Sequence, residues 1–182
     1  MPMSTDEWMR RLERQKSEML AELSGWPADL REWRPADGGW SALEVLDHLV
    51  RTEVGICGVV TRVLAKPRRI GVRDRVGFLF VERVFRSRRR VKVPRSVAQV
   101  INPGEGLEFG DISARWDRGR VELRRLVDCA EAANCGGGVF RHPVSGWMSF
   151  EQVLRFFSVH MVHHGFQLER IREALRATSR WR

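Results

Sequence analysis

Residues 149–177 read SFEQVLRFFSVHMVHHGFQLERIREALRA and contain the pattern that decides the fold. Ser149 followed by Gln152 is a capping box, a motif that starts α-helices because each side chain bonds the backbone N–H of the other residue. After it, apolar side chains recur every three or four residues, which is the spacing of one helical face. That face comprises Val153, Phe157, His160, His164, Leu168, Ile171 and Leu175. The stretch therefore predicts one long amphipathic helix, residues 150–177, with two histidines among its apolar side chains.

The same capping motif occurs twice more, at Ser4 with Glu7 and at Ser41 with Glu44. Together with the apolar spacing and the Gly and Pro breakers, these starts predict five helices. Their expected bounds are residues 5–23, 42–65, 74–87, 112–132 and 150–177. The predicted fold class is therefore all-α: a four-helix bundle with an additional short helix and a long Arg-rich connection.

The segments between the predicted helices carry little further pattern. Residues 94–110 are rich in Gly and Pro and are expected to be irregular. No stretch alternates long enough to require a sheet, and only residues 138–140 are compatible with extended backbone. At 182 residues the chain suits one hydrophobic core, so we expect a single domain, residues 1–182.

The composition limits the cellular setting of the protein. The chain has no apolar run of the roughly 18 residues that a membrane span needs, and its first residues lack the apolar core of a signal peptide. Cys57, Cys129 and Cys135 are odd in number and have no CxxC spacing, which argues against a disulfide framework and a zinc knuckle. We therefore expect a cytoplasmic protein with reduced thiols and no membrane contact.

The positive charge is concentrated in one segment. The chain has 32 Lys and Arg against 23 Asp and Glu, a formal charge of +9. Residues 62–95 contain thirteen of these cations against Asp74 and Glu82, which gives +11, so the rest of the chain, with 19 cations against 21 anions, has −2. A solvated basic face is the favoured interpretation of this segment, and a nucleic-acid contact is the alternative.

A histidine on the second long helix extends the pattern to a metal site. His48 lies on an apolar stripe, and Asp47 and Arg51 take the other face of that helix. The stripe comprises Val45, Leu49, Thr52, Ile56, Val59 and Val63. His160 and His164, four residues apart on one face, can close on one cation, whereas burial without a cation would leave their polar nitrogen atoms without partners. If the two helices cross or run antiparallel, His48, His160 and His164 can bind one divalent metal ion.

The other two histidines receive different interpretations. His163 falls on the flank of the last helix, and His142, directly before Pro143, is expected to be structural or on the surface. Met161 stands where a zinc protease would have Glu, so the sequence HMVHH is not HExxH. Metalloprotease chemistry is therefore disfavoured.

Four further residues are candidates for a role near the metal. Glu44 and Glu53 could orient its ligands or act in acid–base chemistry, but the alternative of an ordinary structural role is favoured for each. Gln167, one turn past His164, is equally suited to a hydrogen bond with a ligand and to a contact with a partner helix. Cys57 is expected to be a small core residue, and no catalytic residue is assigned.

The residues of two regions together resemble the DinB-like (YfiT-like) superfamily of bacterial metal-binding bundles. The resemblance is carried by Trp40, Ser41, Glu44, His48 and Leu49, and then by His142, Pro143, Gly146, Phe150, residues 160–164 (HMVHH) and Gln167. It implies a four-helix bundle with a three-His site for nickel, zinc, manganese or iron, in a protein that forms homodimers. Relatives of this kind include transferases and isomerases that use low-molecular-weight thiols such as bacillithiol, mycothiol or glutathione. The chain departs most from the family in the Arg-rich residues 66–95.

Two classes of function remain open. Three neutral imidazoles leave a bound metal ion with positive charge and an open position, where it can lower the pKa of a water or thiol or polarise a carbonyl. This favours a metal-dependent enzyme, a thiol-dependent transferase or a hydrolase, that acts on a small molecule. The alternative is a non-enzymatic metal-binding or nucleic-acid-associated bundle that uses the basic segment 62–95. In that case Phe78, Phe80 and Phe85 would form a stacking surface, although packing of the short helix or a dimer contact explains them more simply.

Overall fold

Four long helices dominate the computed structural model, which describes residues 3–89 and 102–178. The long helices are α1 (Thr5–Ser24), α3 (Ala42–Val63), α5 (Phe109–Ala132) and α6 (Phe150–Ala177). Two shorter helices, α2 (Ala28–Glu32) and α4 (Val72–Phe85), complete the described helical part. Both α1 and α3 pack against α5 and α6, which closes the four long helices into a bundle. The all-α prediction is confirmed.

The capping boxes begin three of the long helices where the sequence places them. Ser4, Ser41 and Ser149 each accept a hydrogen bond from the backbone N–H three residues later, and the side chain of that later residue accepts one in return. These bonds satisfy N–H donors that the first turn of a helix leaves unpaired. Helix α5 has no such box and begins about one turn before the predicted residue 112. Local hydrogen bonds therefore determine where α1, α3 and α6 begin.

The core consists of the apolar stripes of the four long helices. Leu12 of α1, Leu46 of α3, Trp116 of α5 and Phe157 of α6 are completely buried. Full burial of one such side chain contributes roughly 1.5–3 kcal/mol, so this interior is the main source of the stability of the bundle.

Helix α2 was not predicted, and helix α4 has different bounds from the predicted ones. Helix α2 occupies a stretch predicted to be a loop, because five residues are too few for a periodic pattern; it is held by burial of Leu30. Helix α4 begins and ends two residues earlier than predicted. Its start is fixed by Asp74, whose carboxylate accepts a hydrogen bond from the N–H of Gly71.

A β-hairpin occupies the region where only an extended stretch was expected. Strands β1 (Gly138–His142) and β2 (Gly146–Ser149) pair antiparallel, and β1 also bonds to the backbone of Arg68. Asp74 accepts a hydrogen bond from the N–H of Trp147, which ties the hairpin to the first turn of α4. Strands this short carry too little alternation to be recognised in sequence. The hairpin carries His142, whose ring packs on that of Phe156 of α6.

Part of the sequence prediction lies outside the described residues. Residues 94–101 of the predicted irregular segment and residues 90–95 of the Arg-rich connection are outside the described ranges. Residues 102–108 are described and form no helix or strand. Within the described ranges no helix is long and apolar enough to cross a membrane.

Candidate metal centre

Helices α3 and α6 bring the three predicted histidines together. His48 lies about two turns into α3, and His160 and His164 lie one turn apart on α6. The Nε2 atom of His160 is 3.2 Å from Nε2 of His48 and 3.0 Å from Nε2 of His164. All three side chains are at least 94 % buried, with 2, 5 and 6 % exposure. The three rings therefore present one nitrogen atom each to a common point in the bundle.

The spacing of these nitrogen atoms suits a metal ion. Two nitrogen ligands about 2.1 Å from one ion are about 3.0 Å apart at a right angle and about 3.4 Å apart at the tetrahedral angle. Both measured Nε2 separations, 3.0 and 3.2 Å, fall within these limits. Among the described residues, His48, His160 and His164 form a group that could hold a metal ion.

The protonation state of the group also fits a metal site. Burial, reinforced by the neighbouring imidazoles, holds the pKa values of His160 and His164 well below their usual range. These two rings are therefore neutral at physiological pH, and a neutral imidazole offers a nitrogen lone pair to a cation.

Gln167 determines which nitrogen of His164 carries the proton. Its Oε1 lies 2.9 Å from Nδ1 of His164, and because an amide oxygen can only accept, Nδ1 is the protonated atom. The Nε2 lone pair of His164 then faces the other two histidines. Of the two roles open for Gln167 in the sequence, the structure supports the hydrogen bond to a ligand.

Aromatic rings enclose the histidine group on several sides. The ring of Trp40 lies 4.8 Å from that of His48, and the ring of Phe156 stacks on that of His160 at 5.3 Å. Phe85, near the end of α4, makes an edge contact with His160 at 5.5 Å. These contacts restrict the ring orientations of His48 and His160.

His163 lies outside the group on the flank of α6, and this flank is buried. His163 is 93 % buried, and its ring makes an edge contact with that of Phe85 at 5.1 Å. Burial lowers its pKa, and the nearby positive charge of Arg170 lowers it further. The sequence could not reveal this burial, because α4 covers the flank of α6 only in the folded chain.

His142 has a structural role within the hairpin. Its Nδ1 accepts hydrogen bonds from the N–H groups of Val144 and Ser145, both at 3.2 Å, and therefore carries no proton. The ring also packs on Phe156 at 5.3 Å. Burial lowers the pKa of His142 to about 4. The structural interpretation of His142 agrees with these contacts.

The candidate carboxylates point away from the metal centre. Glu44 bonds the N–H of Ser41 and the guanidinium of Arg34, and it serves as a cap. Glu53 faces α5, where it accepts hydrogen bonds from Nε1 of Trp116 at 2.9 Å and from Arg120 at 3.1 Å. Neither residue is placed to orient the histidines, so both have the structural role that the sequence favoured.

Two other side chains of α3, those of Cys57 and Asp47, are buried. Cys57 is a buried core residue, and burial raises the pKa of its thiol to about 12, which makes it a poor nucleophile. Asp47 was expected on the face opposite the apolar stripe, and it is completely buried, where it bonds Arg115 and the N–H of Gly104. Its burial depends on α5 and on the segment before it, which no local pattern in α3 could reveal.

A cavity of about 810 Å³ opens onto the histidine group. His48, His160 and His164 line it together with side chains from α3, α4, the hairpin and α6. Its volume lies in the range of cavities that hold small molecules, roughly 300–1,000 Å³. The sequence identified the histidines, but it did not identify the loop residues 35–40 or the hairpin as walls of one chamber.

The comparisons with known proteins agree with this architecture. The sequence profile described as the DinB superfamily matches residues 11–168 of the chain. No curated protein and no solved structure gave a significant match. The matched range includes all three histidines and most of the four long helices.

Proposed function

Because this chain belongs to the DinB superfamily, we propose that it is a metal-dependent enzyme with one divalent ion held by His48, His160 and His164. The ion would be nickel, zinc, manganese or iron. The reaction would be thiol-dependent transfer or hydrolysis on a small molecule, with a low-molecular-weight thiol as a candidate substrate. The observation that carries this proposal is the convergence of three buried imidazoles, with Nε2 separations of 3.0 and 3.2 Å, on a cavity of about 810 Å³.

The histidines and their neighbours would divide the chemical work. A bound ion supplies a Lewis acid that lowers the pKa of a bound thiol or water or polarises a carbonyl. Gln167 keeps the proton of His164 on Nδ1, and the rings of Trp40 and Phe156 hold the imidazoles in place. Among the described residues that line the cavity, Asp37 is the one carboxylate, so a carboxylate base beside the histidines is not part of the proposal.

Metal analysis of the purified protein tests the ligand assignment. We expect about one divalent ion per chain in the wild type and almost none in His160→Ala or His164→Ala. His163→Ala is the matched control, because it removes an equally buried imidazole of the same helix that is not a member of the group. Full metal content in the His160→Ala, His164→Ala double variant would refute the assignment.

The proposal includes a homodimer in the cytoplasm. Support for an association surface comes from α4, where four apolar side chains are 60–79 % exposed: Val72, Val76, Leu79 and Phe80. Sedimentation analysis of the wild type and of Leu79→Glu tests it. Two chains per particle in the wild type and one in the variant would support the dimer, and a monomeric wild type would contradict it.

The nucleic-acid alternative has less support in the described part of the basic segment. Phe78 is 1 % exposed, and Phe85 packs on His160 and Phe156, so these two rings serve internal packing. Only Phe80 of the three is free of the core, with 61 % exposure. DNA binding that weakens as salt rises would support the alternative, and no such binding would exclude it.

A further inference from the structure

The charged side chains in the cavity wall are mostly positive. Arg51 of α3, Arg141 of the hairpin and Arg170 of α6 line the cavity, and Asp37 is the one carboxylate among its described lining residues. The arginines come from three separate elements, so the positive charge is distributed over the wall and does not follow one basic helix, although Nε of Arg51 also lies 4.0 Å from the buried carboxylate of Asp47. A chamber with this charge and low-dielectric walls attracts anions.

The rest of the wall is mainly apolar. Six of its larger side chains are Trp40, Ile56, Val59, Phe140, Phe156 and Ile171. Phe80 and Val144 also line the cavity and are 61 and 56 % exposed, so the apolar surface continues to the mouth. A highly polar ligand would lose hydration against such walls without regaining hydrogen bonds, whereas an apolar body would gain free energy from burial.

Three buried polar atoms in the wall have no hydrogen-bond partner in the described part of the chain: two are the Nδ1 atoms of His160 and His163, and the third belongs to Thr52. Thr52 lies one turn past His48 on α3 and lines the cavity, and the unpartnered atom is its Oγ1. A buried hydroxyl without a partner is unfavourable, by roughly 1–3 kcal/mol. A polar group of a ligand beside the histidines would satisfy it.

We propose that the cavity binds an organic anion with an apolar body, such as an aromatic or alkyl carboxylate or sulfonate, and that this is the substrate class of the site. The inference rests on the proposed function for the chemistry but not for the binding itself. The apolar body occupies the walls formed by the aromatic and branched side chains. The anionic group is stabilised by the arginines, and a polar group next to the reacting centre bonds Thr52.

Fluorescence titration with a matched pair of probes tests the charge requirement. The anionic probe is 1-anilinonaphthalene-8-sulfonate, and the neutral probe is N-phenyl-1-naphthylamine, which lacks the sulfonate. We expect the anionic probe to bind about ten-fold more tightly and to be displaced by octanoate but not by octanol. Equal affinity for the two probes would overturn the proposal.

Arginine variants connect the charge requirement to the cavity. Arg51→Gln and Arg170→Gln should each weaken binding of the anionic probe about five-fold and leave the neutral probe unaffected. Arg62→Gln is the control, because Arg62 is exposed on the same helix as Arg51 and does not line the cavity. Equal affinities for the anionic probe in all three variants would contradict the proposal.

A pair of glycine variants locates the bound probe. Gly55 on α3 lines the cavity and Gly165 on α6 does not, and a Cβ atom at either position would meet no atom within 4 Å. Gly55→Leu should therefore narrow the chamber and weaken both probes about ten-fold, whereas Gly165→Leu should not. Unchanged binding in a folded Gly55→Leu protein would place the probes elsewhere and overturn the proposal.

Metal analysis of the same preparations separates this inference from the proposed function. Charge-dependent probe binding in the cavity of a protein without a bound ion would support the ligand class while contradicting the metal assignment. An ion held by the histidines, together with probe binding that the Arg51 and Gly55 variants do not change, would support the metal assignment and contradict the ligand class.

Discussion

Helix α3 carries two buried polar clusters on different faces. Towards α6, His48 meets His160 and His164 beside the cavity; towards α5, Glu53 meets Trp116 and Arg120 in the core. His48 is 2 % exposed and Glu53 is 4 % exposed, so both are equally removed from water. The Glu53 cluster pairs opposite charges within the protein. The histidine cluster directs nitrogen atoms of one kind at each other.

The Glu53 cluster forms an ion pair inside the core, whereas the histidine cluster is suited to binding a ligand. In the Glu53 cluster, burial raises the pKa of the carboxyl, while Arg120 and the Trp116 N–H favour its charged form. In the histidine cluster three imidazole nitrogen atoms lie close enough together to share one metal ion. Burial alone therefore does not identify a candidate functional site; the kind of atoms that converge there does.

The strongest expected effect comes from breaking the Glu53 cluster. Arg120→Met leaves the Glu53 carboxylate buried without its charged partner, which should lower the free energy of unfolding by about 3–5 kcal/mol. Urea denaturation measures it. Arg118→Met, an exposed position on the same helix, is the control and should change stability by only about 0.5 kcal/mol. Equal effects in the two variants would mean that the pair is not structurally important.

Adding metal should stabilise the protein through the histidine cluster only. With free metal at about 100–1,000 times its Kd, the free energy of unfolding should rise by about 3–4 kcal/mol. Arg120→Met should retain this increment, and His164→Ala should lose it, because only the second variant removes a ligand. Denaturation with and without metal measures both. The same increment in His164→Ala would show that the ion binds elsewhere.

Removing the partner of a metal ligand should weaken the site without abolishing it. Gln167→Leu deletes the acceptor for the Nδ1 proton of His164 and should lower metal affinity about 10–100-fold. Competition with a chelator of known affinity measures the change. Gln167→Glu supplies an oxygen at the same place and should restore affinity. If Gln167→Leu bound metal as tightly as the wild type, the proton position on His164 would have another cause.

Lowering the pH should reduce the stability of the protein through His142, whose Nδ1 accepts hydrogen bonds from the backbone. Burial holds the pKa of His142 at about 4, below its usual 6.5, so between these values the unfolded chain binds more protons than the folded chain. The stability that His142 contributes is present above about pH 6.5 and is lost as pH falls towards about 4.

The pH experiment compares metal-free wild type with His142→Asn. In the wild type, His142 should account for a loss of about 1 kcal/mol between about pH 7.5 and 5.5. The asparagine side chain of the variant does not titrate but keeps an acceptor for the two N–H bonds. Over the same pH range the free energy of unfolding of the variant should therefore fall by about 1 kcal/mol less than that of the wild type. Parallel stability curves for the two proteins would contradict a depressed pKa for His142.

The sequence by itself determined the features that depend on neighbours a few residues apart. The capping boxes at Ser4, Ser41 and Ser149 fixed the starts of three long helices, and the apolar spacing fixed which faces turn inward. The pairing of His160 with His164 belongs to the same class, because one helical turn separates them. The all-α fold and the histidine group were therefore predictable.

Only the tertiary structure decided which distant residues meet. It buried Asp47 against Arg115, joined Glu53 to Arg120 and turned Phe85 onto His160. It also formed the hairpin and the walls of the cavity from segments far apart in the chain. These contacts depend on helix packing, to which periodicity within one helix contributes only the direction of its apolar face. Periodicity therefore identified the residues that form the candidate metal centre, and packing determined what surrounds them.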